Sequence, residues 1–213
     1  MPLRLLCLGD SYTIGEGVAR EEAWPDRLAA RLRAEGLDVA PPVVVARTGW
    51  TCADLDAGID AADLTGPFGA VTLLIGVNDQ YDGVPPEAYR PAFRSLLGRA
   101  VRLAGGAPGR VVVVSIPDWG RTPFASRSPS GGAAAPPEGA PPRTPDEIGR
   151  EVDAYNAVAR DEAERAGARW ADVTALSRTQ GALVVADGLH PDAEAYAAWA
   201  EALAPAVRAA LAA

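Results

Sequence analysis

The sequence predicts an α/β fold, a parallel sheet with helices on both faces in three layers. Three observations carry this. Short apolar runs alternate with longer segments of helical spacing along the chain. The apolar runs are continuous, as in strands buried on both faces. No two of them are joined by a hairpin turn signal. The 213 residues, 48% of them hydrophobic, suit one domain over residues 1–213 with a full core.

The first strand is Leu3 to Leu8, running straight into Gly9-Asp10-Ser11-Tyr12-Thr13-Ile14-Gly15-Glu16-Gly17. Three glycines, two hydroxyls and two carboxylates mark that stretch as a turn. Trp24 to Glu35 places Trp24, Leu28 and Leu32 on one helical face; Pro25 fits its first turn and Gly36 stops it. Val39 to Ala46 is a second strand, and Pro41 and Pro42 put it at an edge. After Gly49-Trp50, Thr51 is placed to cap a helix over Cys52 to Ala62. Val71 to Ile75 is the third strand, ending in Gly76-Val77-Asn78-Asp79. A long helix follows from about Glu87 to Leu103, with Pro91 as a potential break. Val111 to Ile116 is the fourth strand. Residues 126–143, dominated by Ser, Gly, Ala and Pro, read as a mobile loop, either a lid or an idle insertion. Thr144-Pro145-Asp146-Glu147 opens a helix to about Ala166, where Gly167 ends it. A fifth strand lies around Arg169 to Val173. The loop Asp187-Gly188-Leu189-His190-Pro191 precedes a closing helix from about Asp192.

A net charge of −8 argues against nucleic acid and against an anionic membrane surface as partners. Two cysteines, Cys7 and Cys52, are too few for a disulfide framework. No run nears the ~18 apolar residues of a membrane span, and no leader pattern precedes the first strand. A cytoplasmic protein is expected. Nothing in the composition specifies an oligomeric state.

In a parallel α/β sheet, ligands bind beyond the carboxyl ends of the strands. Four turns with unusual polar residues fall there: those of Ser11, Gly49, Asn78, and Asp187 with His190. A serine hydroxyl needs a base before it attacks. His190 is the only histidine in the chain, and the only natural base near neutral pH. Asp187, three residues earlier, is placed to accept the other ring N–H and fix the tautomer. Donors to a developing oxyanion are available from the Ser11 and Gly49 N–H groups and the Asn78 amide. Each residue alone has a plain alternative: Asn78 and Gly49 as turn formers, Asp187 as a cap. Their joint order is what points to catalysis. Asp10 reads as bonding its own loop, and Asp79 as bracing Asn78.

These four blocks, Gly9-Asp10-Ser11, Gly49, Gly76-Val77-Asn78-Asp79 and Asp187-Gly188-Leu189-His190, resemble the SGNH (GDSL) hydrolases, a superfamily of esterases and lipases. The resemblance runs from Gly9 to Pro191. It implies a flavodoxin-like three-layer fold of about five parallel strands. It also implies Ser11 as nucleophile, His190 as base, Asp187 as orienting acid, and an oxyanion hole from Ser11, Gly49 and Asn78. Tyr12 stands where the motif name has leucine, either lining the pocket or packing. Trp50 and Trp119 lie in active-side loops as candidate acyl-group walls. The expected substrate is a small carboxylic ester, with carbohydrate deacetylation next and lysophospholipid or thioester cleavage after it. The expected chemistry uses no cofactor and no metal. Four other readings compete, of which a binding module that kept the fold and lost catalysis is disfavoured by the four intact blocks. A flavin- or nucleotide-binding protein would also place a glycine-rich turn after its first strand. A metal hydrolase would draw on Asp10, Asp79, Asp187 and His190, with one histidine for the task. An α/β-hydrolase would need glycine where Thr13 stands.

Overall fold

The computed structural model describes residues 1–126 and 143–213; the expected loop lies almost wholly outside the described residues. In chain order, β1 (Leu5–Asp10) is followed by the short α1 (Ser11–Ile14) and by α2 (Trp24–Ala34). Then come β2 (Val43–Arg47), α3 (Cys52–Ala61) and β3 (Ala70–Leu74). The short α4 (Val77–Tyr81) and the long α5 (Pro86–Leu103) lead to β4 (Val111–Val114). Last are α6 (Pro145–Ala166), β5 (Arg169–Ala171), α7 (Thr174–Thr179) and α8 (Ala193–Leu211).

The five strands form one parallel sheet in the order β2-β1-β3-β4-β5, the flavodoxin-like order. Every residue of β1, β3 and β4 is buried, as continuous apolar runs require. β2 sits at the edge that Pro41 and Pro42 imply, with both prolines ahead of the paired residues. Helices cover both faces. α2 packs on α8, burying Trp24, Leu28 and Leu32 on one and Tyr196, Trp199, Leu203 and Val207 on the other. α3, α5 and α6 form the other packed layer.

The capping signals operate as read. Thr51 and Asp54 cap α3 reciprocally, Thr144 and Glu147 cap α6, and Gly167 ends α6 in a left-handed conformation, φ 76°. α5 continues through Pro91, whose ring costs the helix one backbone bond near its start. The reading as plain turns is corrected at two places, since α1 and α4 are helical there, and α7 falls in a stretch to which the sequence pattern assigns no element. With four to six residues each, they are too short for a hydrophobic period to show. No helix among the described residues is long and apolar enough to cross a membrane.

The strand order reverses between β1 and β3, so the crevice beyond their carboxyl ends is the natural ligand site. β1 leads directly into Ser11, β3 leads into Asn78, and β2, on the far side of β1, leads to Gly49.

Candidate active site

Ser11 is the first residue of α1, and Asp10 caps that helix by accepting the Tyr12 N–H at 3.0 Å. Gly9 makes the turn feasible. A Cβ there would lie 2.1 Å from the Thr13 hydroxyl and 2.5 Å from the Leu74 carbonyl. Only glycine lets the end of β1 lie this close both to Thr13 of α1 and to the neighbouring β3 backbone.

The Ser11 Oγ lies 2.9 Å from Nε2 of His190, although 179 residues separate them. The other ring nitrogen, Nδ1, lies 2.6 Å from Asp187 Oδ2. The second Asp187 oxygen, Oδ1, accepts the Leu189 and His190 N–H groups at 2.7 and 3.0 Å. Burial works against ionisation of Asp187, but the bonds from the His190 ring and these two amides outweigh it and hold the carboxyl below its usual range. The loop is tied at both ends: Val185 N–H donates to the His190 carbonyl, and Phe124 N–H to the Gly188 carbonyl, each at 2.9 Å. Tyr12 is buried against the imidazole, ring centroids 5.2 Å apart, with Trp199 stacked behind it.

Gly49 lies in the exposed turn after β2, at φ 79° with open space where a side chain would project. The turn is fixed by Trp50 N–H donating to the Arg47 carbonyl and by the Thr48 hydroxyl donating to the Glu16 carboxylate. Asn78 Nδ2 donates to the Trp50 carbonyl at 2.9 Å, which uses one of its two N–H bonds and orients the other. Asp79, read as a brace for Asn78, instead accepts the Cys52 N–H at 3.0 Å. Neighbouring residues on a helix point about 100° apart, so Asp79 faces the start of α3 while Asn78 faces the Trp50 turn.

The aromatic rings expected at the pocket are packed as follows. Half-buried Trp50 lies against α3, where a Cβ on Gly58 would come within 2.2 Å of its ring. Trp119 is buried, its Nε1 donating to Gln80 Oε1 at 2.8 Å. Gln80 and the Thr48–Glu16 contact escaped the sequence reading; both depend on partners far along the chain, for which no local pattern exists. Among the described residues, no three His, Cys, Asp or Glu side chains are grouped as metal ligands would be.

Asp10 is fully buried, and its Oδ2 meets no hydrogen-bond partner among the described residues. Burial, with the Asp79 charge adding to it and the Tyr12 N–H opposing, raises its carboxyl to about 8. A raised acid holds its proton in the folded state where the unfolded chain has lost it. Folding stability therefore falls as pH climbs from about 4 towards 8. Asp10→Asn keeps an oxygen for the Tyr12 N–H but has no proton to lose. Its melting temperature should decline less between pH 5 and 8 than that of the parent protein. Parallel melting curves for the two would show that Asp10 does not titrate in this way.

A hydroxyl bonded to an imidazole, whose far nitrogen meets a carboxylate, can act as a nucleophile with a base in reach. Three N–H sources, on Ser11, Gly49 and Asn78, belong to turns that follow three neighbouring strands. Such a set can bind the oxygen of a tetrahedral intermediate. The model of the GDSL-like Lipase/Acylhydrolase family matches residues 7–198. Comparison with curated protein sequences returns no match. Among solved structures the chain is similar to TesA, with 23% identity over 97% of this chain and 99% of that one, TM-score 0.69. It is similar to the psychrotrophic esterase EstA from Pseudoalteromonas sp., with 18% identity over 96% of both chains, TM-score 0.66. It is also similar to Axe2, an acetylxylan esterase from Geobacillus stearothermophilus, with 20% identity over 96% and 94%, TM-score 0.69. At these identities the likeness is one of fold.

Proposed function

The chain belongs to the GDSL-like lipase/acylhydrolase family, and from that premise we propose that it is a serine esterase acting on small carboxylic esters. The observation that carries this reading is the 2.9 Å approach of His190 Nε2 to Ser11 Oγ, with Asp187 at the other ring nitrogen.

In the proposed reaction, Ser11 Oγ attacks the ester carbonyl carbon while its proton passes to His190 Nε2. The carbonyl oxygen becomes an oxyanion and accepts hydrogen bonds from the Ser11 and Gly49 N–H groups and from the free N–H of Asn78 Nδ2. Asp187 stabilises the imidazolium and does not itself take the proton. Collapse of the intermediate breaks the ester C–O bond, and His190 returns the proton to the departing alcohol. A water molecule then attacks the acyl-Ser11 carbonyl with His190 again as base. The carboxylic acid leaves and the serine is restored.

The preference for small acyl groups rests on the rim. Arg47, Thr48 and Gly49 on one side and Ala186 and Asp187 on the other are exposed. A rim this open suits a short acyl group carried on an alcohol of any bulk. The same openness favours a second reading, removal of acetyl groups from carbohydrate, which is the substrate class of the acetylxylan esterases of this fold. A series of chromogenic esters from acetate to decanoate, run beside acetylated sugars, tests both. We expect kcat/KM to be highest for acetate or butyrate and at least about tenfold lower for decanoate, since nothing on the exposed rim rewards added methylenes. Failure to hydrolyse any ester would defeat the proposal. Faster cleavage of acetylated sugars than of aryl acetates would select the second reading.

A further inference from the structure

The amide of Asn78 is useful only if α4 holds still, and α4 has five residues. A helix this short has no stability of its own in water. Its position is set by what it is tied to. At its start the ties are those described, Asn78 to the Trp50 carbonyl and Asp79 to the Cys52 N–H. Its end is tied by a different group. The Gln80 side chain is buried, and both ends of its amide are used: Oε1 accepts the Trp119 indole N–H at 2.8 Å, and Nε2 donates to Glu151 Oε2 on α6 at 2.5 Å. The indole can only donate and the carboxylate only accept, so the amide has one orientation. Arg143 then closes the end of α4. Its Nη1 donates to the Gln80 carbonyl at 3.0 Å and to Glu151 at 3.1 Å, and its Nη2 to the Tyr81 carbonyl at 2.7 Å. The guanidinium also lies over the rings of Tyr81 and Trp119. A cation on the last carbonyls is where a helix C-terminus favours one.

We propose that Gln80, held by Trp119, Glu151 and Arg143, is a positioning residue that sets the Asn78 amide in the oxyanion hole. It lies two residues from Asn78 on the same short helix and touches no reacting atom. The inference rests on the proposed esterase reading. Displacing a donor by about 1 Å costs up to about a hundredfold in rate, and removing it altogether costs about a hundred- to a thousandfold.

The test is a double-mutant cycle on a short-chain chromogenic ester. Asn78→Ala should lower kcat about a hundredfold or more. Gln80→Leu should lower kcat about tenfold with KM within about twofold, because the donor acts on the transition state rather than on the bound ester. In the Asn78→Ala background the Gln80→Leu change should cost nothing further, since the donor it positions is gone. Glu151→Ala, which removes the acceptor for Gln80 and Arg143 from a half-exposed position, gives a second measure with the same criterion should Gln80→Leu fold poorly. A costly Asn78→Ala together with a harmless Gln80→Leu, or with losses that simply add, overturns the positioning role and leaves the esterase reading standing. A harmless Asn78→Ala overturns the oxyanion reading, and the positioning role with it.

Discussion

Ser11→Ala is expected to reduce kcat by about a millionfold and to leave the fold intact. The substitution deletes one oxygen atom from a buried position and adds nothing. What the protein loses in stability is the bond from Ser11 Oγ to His190 Nε2, worth about 1 kcal/mol, or a few degrees in melting temperature for a chain of this size. What it loses in chemistry is the only atom in the site that the acyl group can bond to in the proposed mechanism. The backbone N–H of residue 11 and the donors on Gly49 and Asn78 remain, so substrate binding should change little. Esters should then bind with a similar dissociation constant and not turn over. Retained turnover in a preparation free of parent enzyme would show that another nucleophile does the work.

Asp187→Asn should cost about ten-thousandfold in kcat, a loss far larger than one missing charge on a partly exposed side chain suggests. The reason lies in the other oxygen of Asp187. Oδ1 already accepts two backbone N–H groups, from Leu189 and His190. An asparagine at this position must turn its carbonyl oxygen to them, which aims its NH2 at His190 Nδ1. The ring nitrogen there would then have to accept, placing the ring proton on Nε2, beside Ser11. An Nε2 that carries a proton cannot take another from the hydroxyl. The folded structure should be preserved, and melting within a few degrees of the parent protein would establish that the loss is one of tautomer. A variant that kept a tenth of the parent activity would show that Asp187 does not direct the proton on His190.

Much of this architecture could be read along the chain because its determinants are local. The valine runs of β2 and β4, the 51–54 and 144–147 capping pairs and Gly167 each specify their own element. The placement of Ser11, Gly49, Asn78, Asp187 and His190, though not their roles, could be read for a related reason. Each sits at a strand end or a loop whose place follows from the order of the elements. What escaped was lateral. Asp79 was read against its neighbour Asn78, but its carboxylate spans 27 residues to Cys52. Gln80 looks like any polar residue after a strand, and only the approach of Trp119 and Glu151 from 39 and 71 residues away gives it a task. Pro91 looked like a break, yet a helix begun at Pro86 tolerates it, since packing of Tyr89, Phe93, Leu96 and Leu97 outweighs a single missing backbone bond.

The strand order has a mechanical consequence. The turns of Gly49, Ser11 and Asn78 follow β2, β1 and β3, three adjacent rungs of one ladder, spaced about 4.8 Å apart by main-chain bonding alone. The proposed nucleophile and anion donors thus share a single stiff ruler. The imidazole arrives from outside that ruler, on a loop between α7 and α8. As temperature rises, the proposed cradle for negative charge should keep its dimensions longer than the link to His190, so in the proposed mechanism proton transfer would be the step that heat disables first.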